Sequence, residues 1–63
     1  MLDNDVYDLM EQLIEESKSL WQIKHHYKED AADCDECRRF WEKLEKDKEQ
    51  HIEDLEALLR SHM

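Results

Sequence analysis

The sequence predicts an all-α protein: an antiparallel two-helix hairpin that assembles with copies of itself into a four-helix bundle. Three observations carry that prediction. The 63 residues include no glycine and no proline, the residues that punctuate tight turns and sheet hairpins. Charged residues, mostly Asp, Glu and Lys, make up 43% of the chain, and together with Leu and Gln this is the composition of long helices. Apolar residues recur with a helical period in two stretches separated by one short break.

The first stretch covers about residues 4–30. Val6, Leu9, Leu13, Leu20, Ile23 and Tyr27 follow steps of three and four, with Glu16 in the slot between Leu13 and Leu20. Met10, Ile14 and Trp21 widen the stripe to the breadth of a core-facing helix. Asp3, Asn4 or Asp5 supplies the N-cap. The second stretch, about 34–61, keeps the rhythm at Cys37, Trp41, Leu44, Lys48, His51, Leu55, Leu58 and His62, and Phe40, Ile52 and Leu59 broaden it. Between them lies a turn at about 31–33. Asp33, followed three residues later by Glu36, resembles a capping box with an acid in the Ser/Thr position. Asp35 and Glu36 in the first turn and Arg60 and His62 in the last complement the helix dipole. So short a link makes the two helices antiparallel neighbours.

A chain of this length is one domain with a marginal core of its own. Each helix is about 40 Å long, and a lone hairpin leaves the outer part of both stripes, including Trp21, Phe40 and Trp41, in water. Two hairpins face to face cover them, so a homo-oligomer is expected. A larger helical protein partner is the alternative. The net charge of −9 argues against nucleic acid or an anionic membrane as partner. No apolar run approaches the roughly 20 residues that span a bilayer. The opening Met1-Leu2-Asp3-Asn4-Asp5 lacks the basic and apolar regions of a signal peptide. The expected compartment is cytoplasmic, with Cys34 and Cys37 mostly reduced.

Both apolar stripes are interrupted by polar residues, Glu16 in the first and Lys48 and His51 in the second. In a hairpin turning near residue 32 these interruptions are about equally far from the turn, so they fall at one level. A two-fold dimer brings two Glu16 and two His51 side chains there. The pattern resembles half of a ferritin-like or rubrerythrin-like bundle, in which one helix gives a Glu and the next an E-x-x-H pair. Asp47-Lys48-Glu49-Gln50-His51 is similar to the second ligand helix, and Glu15-Glu16 to the first. The resemblance implies a carboxylate/His site for iron or manganese with Glu16, His51 and Asp47 as metal ligands. The implied chemistry is of a ferroxidase or peroxide-handling kind.

One departure from the family pattern matters. Lys48 stands where the E-x-x-H motif has its Glu, and Asp47, four before His51, would have to substitute across one turn with a shorter reach. An ammonium repels a metal ion. The same residues therefore carry a metal-free reading, in which Glu16 pairs with Lys48 beside His51 as a polar layer that sets register. The chain is then a helical dimerisation or interaction module.

Cys34-Asp35-Glu36-Cys37 sets two thiols one turn apart at the start of the second helix. The dipole there lowers a thiol pKa, while Asp33, Asp35 and Glu36 push it up. Two reduced thiols, a reversible disulfide or part of a metal site fit this spacing, although one C-x-x-C supplies only half the ligands of a structural zinc site. His25 and His26 read as surface residues near the helix end. Ser17, Ser19 and Ser61 have no base at a strained turn, and no phosphate-cradling loop exists.

Overall fold

Without glycine or proline to stop them, both periodic stretches run as helices to the edges of the single turn. The computed structural model describes residues 4–62, so Asp3 as a cap lies outside the described residues. The first rod is α1 (Asn4–Gln22), a π-helical segment (Ile23–Tyr27) and one closing turn, α2 (Lys28–Asp30); after the turn at 31–33 comes α3 (Asp35–His62). The rods pack side by side as a hairpin measuring 48 × 16 × 12 Å.

The π segment shifts the register of the first rod. The Lys28 N–H reaches back to the Ile23 carbonyl, five residues away, which inserts an extra residue into the helical count. Ile23 remains wholly buried at 0% exposure, whereas Tyr27, expected on the inner stripe, is 38% exposed. The next inward position falls instead on Lys28, which is half-buried. Tyr27 keeps contact with α3 through its ring, 4.9 Å from that of Trp41.

The start of α3 also differs from expectation. The Arg38 N–H bonds the Cys34 carbonyl at 2.9 Å, and the Cys37 N–H bonds the Cys34 sulfur at 3.2 Å. Cys34 thus occupies the N-cap with its thiol as acceptor, and Asp33 belongs to the preceding turn. At the other end the Ser61 hydroxyl donates to the Leu58 carbonyl at 2.9 Å, and His62 Nδ1 lies 2.8 Å from that oxygen. These contacts occupy a carbonyl that the helix end leaves unpaired.

The interior of the hairpin is small. Among the described residues Val6, Ile23, Ala31 and Leu59 are the buried apolar ones, and Glu16 is buried with them. Leu9, Leu13, Leu20, Trp41, Leu44, Ile52 and Leu55 are half-covered. Among the described residues, no helix is long and apolar enough to cross a membrane.

Candidate functional site

Glu16 sits midway along the first rod, between Leu13 and Leu20 on the inner face, and it is only 9% exposed. A carboxylate placed there must be paired or it loses its hydration without compensation. Three groups meet it. The Lys48 ammonium donates to Oε2 at 2.8 Å, the Gln12 amide donates to Oε1 at 3.2 Å, and His51 Nδ1 approaches Oε1 at 3.5 Å. Lys48 is largely covered, while the His51 ring is half in solvent. No buried side-chain nitrogen or oxygen lacks a partner among the described residues.

The Lys48 hydrogen bond is the main reason that the Glu16 carboxyl is held below its ordinary value near 4.5. Burial pulls the other way, and Gln12 and His51 reinforce Lys48. A carboxyl whose pKa is depressed on folding stabilises the fold above its unfolded value, and that contribution fades as pH falls through the folded value. The expected result is a urea midpoint for the native chain that drops relative to Glu16→Gln between about pH 5 and pH 3. Parallel curves over that window would show that the Glu16 pair adds nothing.

Two further ion pairs cross the hairpin nearer the turn, Lys28 to Glu45 at 3.0 Å and Lys24 to Glu49 at 4.0 Å. Their polarity is reversed: bases on the first rod face acids on α3, whereas at mid-length the acid is on α1 and the base on α3. The Lys24 pair is exposed, so its contribution is small. Glu16 has the greater effect on register. Sliding one rod by a turn would set Glu16 opposite Leu44 or Ile52, leaving a covered carboxylate without a cation.

The structure therefore brings Glu16, Lys48 and His51 together and leaves Asp47 outside. Asp47 is exposed, and no hydrogen bond or ion pair links it to Glu16 or His51 among the described residues. It precedes Lys48 by one residue, about 100° around the helix. Among the described residues, no group of three or more His, Cys, Asp or Glu side chains is arranged to hold a metal ion. Within one chain the donor set is one carboxylate and one imidazole, with an ammonium already on the carboxylate.

Two other clusters lie along the hairpin. Trp21 is flanked by His25, with ring centroids 4.6 Å apart, and by His26 at 5.2 Å. The second ring reaches it because the π segment turns a residue five positions on towards the indole. Cys34 and Cys37 lie at the turn, their sulfurs 2.6 Å apart. No protein-family model, curated protein or solved structure matches the chain.

Proposed function

We propose that the chain is a self-associating helical interaction module, two hairpins packing face to face with the Glu16–Lys48–His51 layer fixing their internal register. The observation that carries this reading is the apolar face left in water. Tyr7, Ile14 and Trp21 recur at seven-residue intervals along α1 and are each about half exposed, at 51%, 53% and 51%. Phe40, at 57%, and Leu58, at 46%, extend the exposed surface along α3. Against these, only four apolar residues are buried among the described residues, too few to stabilise a hairpin alone. Seven-residue spacing is the repeat of helix-to-helix seams. A second copy offers a face of the same length and pattern.

The iron or manganese reading rests on the approach of His51 to Glu16. It requires a second chain to contribute its own Glu16 and His51, and Lys48 to leave the carboxylate. The ion pair at 2.8 Å favours the metal-free module, so the metal reading stands second.

Sedimentation velocity on the full chain over roughly a hundredfold dilution range tests the proposal through mass action. The expected result is a dimer that dissociates on dilution, with the same midpoint in chelator and in excess iron(II) or manganese(II). A folded monomer at every concentration would overturn it. Assembly only with metal would favour the second reading.

A further inference from the structure

We infer that Cys34 and Cys37 form a dithiol site that exchanges with disulfides carrying cationic or neutral apolar flanking groups, Cys34 being the attacking thiol and Cys37 the resolving one. The geometry suits the internal, resolving step. The two sulfurs face each other in direct contact one helical turn apart, within reach of the roughly 2.05 Å bond of a disulfide. Cys34 is the N-cap of α3, and its sulfur receives the Cys37 N–H at 3.2 Å. That is the position where a backbone donor and the helix dipole act together on a sulfur anion.

The two thiols are made unlike by this arrangement. The Cys37 thiol, with the Cys37 and Glu36 backbone N–H groups, holds Cys34 below the usual thiol range. Its proximity to Cys34 and Glu36 pushes Cys37 up. Among the acidic neighbours Glu36 opposes thiolate formation at Cys37, while Asp35 is paired with Arg38 at 3.0 Å.

A docking surface adjoins the sulfurs. An open cavity of about 260 Å³ is lined by Tyr27, Asp30, Ala31, Cys34, Cys37 and Trp41. Its aromatic walls suit an apolar group, and Asp30 with the acidic turn beside it favours a cation over an anion. That charge pattern selects the substrate class.

The exchange balances without another reagent. The Cys34 thiolate attacks one sulfur of the substrate disulfide, a bond forms between them, and the substrate's own S–S bond breaks to release a thiolate. Cys37 then gives up its proton and attacks the Cys34 sulfur, displacing the second substrate thiolate. The dithiol loses two electrons and two protons. The substrate disulfide gains the electrons, and its two thiolates take up the protons.

The test uses cystamine, a cationic disulfide, and oxidised glutathione, an anionic one, with the full chain followed by mass spectrometry. The native protein should end as an internal disulfide with no adduct retained. Cys37→Ser should stop with one cysteamine on Cys34, since serine cannot displace it. Cys34→Ser, which keeps a good N-cap, should react at least roughly tenfold more slowly than Cys37→Ser. The preference for cystamine over glutathione should shrink as salt rises. Circular dichroism checks that both variants stay helical. Stable adducts on both thiols of the native chain, equal rates for the two variants, or a preference indifferent to salt would overturn the assignment.

Discussion

Replacing Lys48 with methionine should lower the unfolding free energy by roughly 1–3 kcal/mol, because the substitution removes the cation and leaves the covered Glu16 carboxylate behind. The aliphatic stem is kept, so the loss measures charge and hydrogen bonding rather than packing. Gln12 and the His51 ring still reach the carboxylate, which keeps the cost below that of a fully isolated buried charge. Glu16→Leu combined with Lys48→Leu should recover the loss or exceed native stability, since two apolar residues of suitable size replace a pair that must be desolvated. The double variant should then lose uniqueness of register. Cysteine pairs placed to cross-link the native register and a register shifted by one turn would distinguish the two. If Lys48→Met unfolds at the native urea midpoint, the ion pair is inert. If the leucine pair stays in one register, the layer has no role in specifying it.

This polar layer was legible in the sequence because periodicity exposes its own violations. Glu16 stands in a run of Val, Leu and Ile positions, and Lys48 and His51 interrupt the opposite run. A hairpin turning at about residue 32 aligns the two interruptions without further information. The π segment was not legible, since nothing in Ile23-Lys24-His25-His26-Tyr27 announces a five-residue hydrogen bond. An uninterrupted α-helical count puts Tyr27 on the inner face, whereas the shifted count turns Lys28 towards Glu45. Capping rules favour Asp over Cys and so point to Asp33 for a role that the Cys34 sulfur fills. Only its spacing from His51 points Asp47 towards the layer. His51 itself lies at the margin of the inner face, half in solvent, and a residue four before it shares that margin rather than the interior.

Ile14→Glu together with Trp21→Glu should raise the dissociation constant of the proposed dimer by at least roughly a hundredfold, read by sedimentation equilibrium. Each side chain is half exposed in the hairpin, and covering a large apolar residue contributes on the order of 1–2 kcal/mol. A two-fold interface counts every substitution twice. Neither residue belongs to the buried set, so the internal pairing of the hairpin is untouched. The released monomer should nonetheless lose helix on dilution, because Val6, Ile23, Ala31 and Leu59 alone cannot hold two rods of this length together. Ionic strength then separates self-association from binding to a basic partner. Two copies of a chain with net charge −9 repel one another, so screening should tighten the native dimer as salt rises. A cationic partner on the same face would show the opposite slope. Native dimers that loosen with salt, or a glutamate variant that still associates at native strength, would mean that the Tyr7–Ile14–Trp21 face is not where copies of the chain meet.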